Sequence, residues 1–231
     1  MKFLKRALVA SVAALALVIG PAVSAEAASM SFDVTKLSAS NMVISNDNCK
    51  YFNVYLKYNK KNVDSWTVDS EIAGRYGYTT EAYFGNYTSP STKDRNMICP
   101  SLDGLGKYRI GPSEVSVDNE HSWDAFTDYT KGCFYVRGKS YASLSSKRKG
   151  STVTLTSSTK VYHPEHYGKV NYNPKVKFQV KSGSKWKTLK TASAKKGKAV
   201  YKVKSKSKRY YRVTFSQVSW ATGATSKSVK R

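Results

Sequence analysis

The chain has 231 residues and a formal net charge of +24 at pH 7, from 39 Lys and Arg against 15 Asp and Glu. Beyond the first thirty or so residues Leu is scarce and Tyr, Thr, Val, Ser and Lys are abundant, a strand former's composition rather than a helix former's. That length suffices for one large or two small domains with their own cores.

At the N-terminus, Lys2, Lys5 and Arg6 precede an apolar run from Ala7 to Ile19, which Gly20-Pro21 breaks. Small residues in Ala22-Val23-Ser24-Ala25 and Ala25-Glu26-Ala27 suit a signal peptidase. The pattern predicts a signal peptide over residues 1–28, cleaved after Ala25 or within 26–29. The apolar run falls short of the about 20 residues a bilayer span requires, and no second long apolar run follows, so the mature protein is expected to have no transmembrane segment. No Cys follows the small residues, and the basic stretch 226–231 carries no apolar tail or sorting signal. The expectation is a secreted, extracellular protein, retained at the cell wall, if at all, by non-covalent contacts.

Three cysteines follow, Cys49, Cys99 and Cys133. Export leads to an oxidising space, and three thiols allow one intrachain bridge. Cys49 with Cys99 is favoured because each borders an apolar run in the same half, and pairing of Cys99 with Cys133 stays open. A bridge closing the Cys49–Cys99 loop contributes on the order of 4 kcal/mol in the chain-entropy model. Phe134, Tyr135 and Val136 predict that Cys133 is buried in a strand.

The first half reads as short strands. Phe32 and Val34 alternate with polar residues, Met42-Val43-Ile44 ends at the turn cluster 45–48, and Phe52, Val54 and Leu56 share one face. Trp66 and Val68 alternate again, and further runs lie at 82–84, 97–99, 108–110 and 115–117, punctuated by Gly, Pro, Asn and Asp. The second half alternates more cleanly. Val176, Phe178 and Val180 point inward between lysines, as do Tyr201 with Val203, and Tyr211, Val213 and Phe215, while 182–184 reads as a hairpin connection. One apolar face and one lysine-loaded face describe an antiparallel sheet with a wet side.

Charge divides the chain sharply. Residues 29–134 hold eleven Lys and Arg against thirteen Asp and Glu, whereas 135–231 hold twenty-five against the single acid Glu165. Such a shift marks a domain boundary. The fold class expected is all-β, two tandem β-sandwiches over 30–133 and 134–231. The motifs Lys-Gly-Ser-Thr-Val-Thr-Leu at 149–155, Lys-Val-Lys-Phe-Gln at 175–179, Lys-Trp-Lys-Thr-Leu-Lys-Thr at 185–191 and Tyr-Tyr-Arg-Val-Thr-Phe at 210–215 resemble the immunoglobulin-like modules common in secreted actinobacterial proteins. The first half, with Trp66-Thr67-Val68-Asp69 and the stretch 99–108, resembles the domain that often precedes them. The resemblance implies an architecture and no chemistry.

No phosphate-binding Gly-rich loop and no Gly-x-Ser-x-Gly elbow occurs. His163, Glu165 and His166 form the most metal-like run, although Pro164 places them on a loop rather than on a zinc-binding helix. Asp118, Glu120, Asp124 and Asp128 gather near His121 and offer oxygen ligands for Ca²⁺ without EF-hand spacing; the bland alternative is an acidic connector. No other cofactor is implied. The basic residues Lys195, Lys196, Lys198, Lys204, Lys206, Lys208 and Arg209 suit a polyanion, because solubility alone is served by mixed signs. No sequence-specific nucleic-acid motif is present. These features predict a non-enzymatic binding protein whose basic C-terminal domain contacts anionic cell-wall polymer or another extracellular polyanion. Two alternatives compete: a hydrolase or nuclease built on Glu120, His121 and Asp124 in the first domain, and a structural or inhibitory protein.

Overall fold

Period-2 burial runs through the chain. In the segment Lys175–Ser182, Val176, Phe178 and Val180 are buried while Lys175, Lys177 and Lys181 are exposed. In Ser65–Gly74, Trp66, Val68, Ser70 and Ile72 are buried. A chain patterned this way buries its apolar side chains by laying sheets face to face. The computed structural model describes residues 29–231, and the signal peptide expected over 1–28 lies outside the described residues.

The first part contains β1 (Ser31–Ala39), β2 (Met42–Ile44), β3 (Lys50–Lys61), β4 (Ser65–Gly74), β5 (Gly77–Gly85), β6 (Lys93–Ile98), the helical turn α1 (Pro100–Asp103), β7 (Gly106–Asp118), β8 (Trp123–Asp128) and β9 (Gly132–Gly138). The second contains β10 (Ser140–Lys149), β11 (Thr152–His163), a 3₁₀ turn at Pro164–His166, β12 (Gly168–Asn171), β13 (Lys175–Ser182), β14 (Lys185–Ser193), β15 (Lys198–Lys204), β16 (Tyr210–Phe215), β17 (Ala224–Thr225) and β18 (Val229–Lys230). No helix among the described residues is long and apolar enough to cross a membrane.

Both parts are wired alike. In the first, β3 lies between β1 and β6, and β4 lies between β5 and β7, with β8 and β9 along the far side of β7. In the second, β11 lies between β10 and β15, and β13 lies between β14 and β16, with β17 and β18 along the far side of β16. Each is an all-β, immunoglobulin-like sandwich. Trp66 on β4 anchors the first core, its ring 5.2 Å from Phe32 and 4.5 Å from Tyr58. Phe52 and Tyr108 close around Phe134 at 5.0 and 5.2 Å. Phe178, Val213, Leu155 and Tyr211 occupy the matching place in the second.

The disulfide joins Cys49 to Cys99. Lys50 opposes Ile98 in the β3–β6 ladder, so the bridge closes the end of two neighbouring strands within one sheet. Cys133, expected to be buried, is exposed. Alternation on β9 explains this: Phe134 and Val136 take the core side, which turns Cys133 outward. The expected boundary between 133 and 134 falls inside β9, which pairs with β7 through Ile110↔Gly132 to Gly106↔Val136. Sheet membership changes at Lys139.

At that point the two sandwiches are pinned together. The Gly138 N–H donates to the Trp220 carbonyl and its own carbonyl accepts from Thr222, while the Tyr162 N–H donates to the Lys139 carbonyl. Tyr162 is buried within the first core. A Cβ on Gly138 would stand 2.2 Å from the Tyr162 carbonyl oxygen and 3.0 Å from Leu105.

Two outcomes follow for stability. The double substitution Cys49→Ser with Cys99→Ser should cost on the order of 4 kcal/mol in urea denaturation. Gly138→Ala should cost about 1–3 kcal/mol as overpacking against backbone, whereas Gly168→Ala, whose Cβ meets only the His166 carbonyl at 3.6 Å, should be nearly silent in the same titration.

Candidate functional site

The outer face of β10, β11 and β15 carries an ordered pattern set by register. Lys149 opposes Thr152, which opposes Lys204, and Lys147 opposes Thr154, which opposes Lys202. Directly opposed residues share a face. Two lysine columns therefore flank a column of threonines, with strands about 4.8 Å apart and rows about 7 Å apart. All four lysines are exposed and the threonines half-buried. Val153, Leu155 and Val203 lie on the opposite face, packed in or against the second core.

The end of this face remote from the first sandwich gathers more cations. Arg148 opposes Val153 and so leaves from the other side of the sheet, where it caps the strand end, donating through Nη1 to the Ser205 carbonyl and through Nη2 to the Ser207 carbonyl at 3.0 Å. Arg209 and Arg231 exchange backbone hydrogen bonds, and Arg231 Nε donates to the Ser146 carbonyl. Lys206, Lys208 and Arg209 are exposed beside them. The seven cations expected as a cluster thus divide. Lys204, Lys206, Lys208 and Arg209 lie at the remote end, while Lys195 and Lys196 in the β14–β15 turn and Lys198 at the start of β15 lie about 20 Å away along β15. Lys230 and Arg231 join the remote group only through the pairing of β18 with β16. No local spacing announces them. Glu165, the single acid in 135–231, lies past the opposite end of β11. The ion pairs among the described residues are Arg75–Glu165 and Arg109–Glu71, so no cation of the second sandwich has a carboxylate partner.

The His163-Pro164-Glu165-His166 turn sits at the junction of the sandwiches. The Tyr76 hydroxyl donates to Glu165 Oε1, and Arg75 Nη1 stands 4.0 Å from the same oxygen. The carboxylate therefore faces the first sandwich rather than the imidazoles. The His163 and His166 rings lie 5.0 Å apart, and His163 Nδ1 is buried without a hydrogen-bond partner. Among the described residues no three His, Cys, Asp or Glu side chains converge as a metal site requires. His163, Glu165 and His166, adjacent in sequence, are not brought together as a three-ligand set.

The acids expected to offer oxygen ligands to Ca²⁺ are spread apart. Asp118 opposes Trp123 while Asp124 opposes Val117, so the two acids point to opposite faces of the β7–β8 hairpin. Asp118 Oδ1 accepts from the Ser65 hydroxyl. Glu120 and His121 are exposed at the hairpin tip, where Asn119 Oδ1 accepts from the His121 and Ser122 N–H groups. The segment expected to be an acidic connector is in part a strand, β8.

No protein-family model matches the chain, and no curated protein sequence matches it. Among solved structures it is similar to the D0-D1 domain of intimin (17% identity, 85% of this chain and 97% of that one, TM-score 0.26). It is also similar to the human OSCAR ligand-binding domain (9%, 84% and 95%, TM-score 0.27). A third similarity is to the apo structure of Bacteroides uniformis β-glucuronidase 3 (10% identity, TM-score 0.28), where 88% of this chain spans 25% of that one. The sandwich assignment stands on the strand wiring itself.

Burial holds the His163 imidazole below its ordinary proton affinity; Glu165 opposes this, while His166 and Arg75 add to it. The Tyr76 hydrogen bond holds the Glu165 carboxyl below its usual range. For both groups the unfolded chain binds protons more readily, so stability is retained at high pH and lost on acidification. For His163 the loss begins as pH falls below the ordinary value of 6.5, and for Glu165 below 4.5. The melting temperature should fall from pH 7.5 to pH 5.5, and His163→Gln should flatten that slope in a thermal scan.

Proposed function

We propose that the protein is a non-enzymatic extracellular binding protein whose second sandwich holds an anionic polymer of the cell wall or surrounding matrix. The observation that carries this reading is the pair of lysine columns flanking a threonine floor, with no acid on the face. Like charges held in register repel, and mixed signs would serve solubility better. Lysine on flanking strands deters edge pairing, but that purpose does not extend to Lys206, Lys208 and Arg209, which lie beyond β15. A linear polyanion laid along the threonine column meets cations on both sides, and threonine hydroxyls can donate to its oxygens. The first sandwich, nearly balanced in charge, exposes Tyr51, Tyr55 and Met97, with Arg95 4.0 Å over the Tyr51 ring. It carries whatever finer recognition accompanies the anchoring.

Such binding is distributed and salt-sensitive. The experiment is co-sedimentation with purified Gram-positive cell walls, intact or stripped of anionic polymer, across a salt series, with polyphosphate as the defined soluble probe. The protein should pellet with intact walls at low salt and not with stripped ones. Lys147, Lys149, Lys202 and Lys204 changed together to Gln should lower the slope of log K against log salt by about 3, since each phosphate neutralised on a single strand accounts for about 0.7. An unchanged slope, or equal binding to stripped walls, would overturn the reading.

A further inference from the structure

The junction holds a second feature that the lysine face does not use. An open hollow of about 440 Å³ lies between the sandwiches, lined by Arg75, Leu105 and Gly106 from the first and by His163, Ser219 and Trp220 from the second. Its volume is within the range of small-molecule sites, and boundaries between domains are where such sites concentrate.

The lining is chemically mixed. The Arg75 side chain is 58% exposed, and its one carboxylate neighbour, at 4.0 Å, already accepts from Tyr76. Most of its guanidinium donors therefore remain available for a planar carboxylate. Trp220 is half-buried and held from behind by Tyr172, ring to ring 5.2 Å edge-on. His163, its ring 6.2 Å from Trp220, adds a second flat wall. Ser219 adds a hydroxyl and Leu105 an apolar wall. The displaced proton affinities of Tyr76, His163 and Glu165 mark the same place, as perturbed groups do at functional sites.

We propose that this hollow binds a hydroxylated ring carrying one carboxylate, the chemistry of an acidic sugar. Arg75 takes the carboxylate, Trp220 and His163 lie against the ring, and Ser219 meets a hydroxyl. A phosphate alone leaves the indole and the imidazole unused, and a neutral sugar leaves the guanidinium unused. The site is independent of the lysine face and does not rest on the reading given above.

The test follows the indole N–H of Trp220 by NMR, one of four tryptophans in the chain, identified through Trp220→Phe. High salt screens the lysine face. Galacturonate or trigalacturonate should shift this signal saturably, while galactose and inorganic phosphate leave it in place. A response to the monomer identifies a free acidic sugar as sufficient, and a response to the trimer alone identifies a residue within a chain. Arg75→Gln should weaken the response about tenfold or more, the usual loss for a hydrogen bond to a charged group, and Ser219→Ala should weaken it less. The four-lysine variant should respond as the parent does, and Arg75→Gln should still pellet with walls. Should Arg75→Gln prove unstable, Ser219→Ala decides. The proposal is overturned if neither galacturonate form moves Trp220, if galactose or phosphate moves it equally, or if both substitutions leave the response unchanged.

Discussion

One close backbone passage at Gly138 organises the molecule. There β9 leaves the first sandwich, β10 begins the second, and the Tyr162 carbonyl occupies the space a side chain would need. The bonds from Gly138 to Trp220 and Thr222 draw the β16–β17 connection against the crossing. Chain segments near residues 105, 138, 162 and 220 therefore meet at one point. The seating of Tyr162 in the first core, the facing of Glu165 toward Arg75 and Tyr76, and the hollow beside His163 all derive from it.

The parts of this arrangement written locally are legible in the sequence. Lys-Val-Lys-Phe-Gln-Val-Lys states both faces of β13 in its own alternation, and the disparity between the halves is a matter of counting. The Cys49–Cys99 bridge is readable because each cysteine borders a strand, although only the β3–β6 ladder shows that those strands are neighbours. Features set by register between distant segments are not legible. Lys147 and Lys202 are fifty-five residues apart and share a row only because both oppose Thr154. Cys133 misleads because three apolar neighbours suggest burial, whereas a strand with one core side buries every second residue. His163 and His166 have the look of ligands in the linear chain, yet the Glu165 between them is committed across the junction.

The two sandwiches use one wiring for different ends. Trp66 on β4 and Phe178 on β13 are both buried. The first sandwich is braced by a disulfide, which the second lacks. It also mixes charges on its outer surfaces, with Arg109 paired to Glu71. The second leaves its cations unpaired, and mutual repulsion there opposes folding. An immunoglobulin-like core tolerates this because its stability comes from the inward residues, while the outward ones are free to vary.

The orientation of β10 sets a working distance. Its ten residues run from the crossing to the crowded cationic end, about 34 Å at a strand's rise. That end is a full sandwich length from the body that carries Tyr51, Arg95 and Met97. Under the proposed function the second sandwich would serve as a spacer, keeping the first one's exposed aromatic surface clear of the bound strand and open to larger bodies approaching from solution.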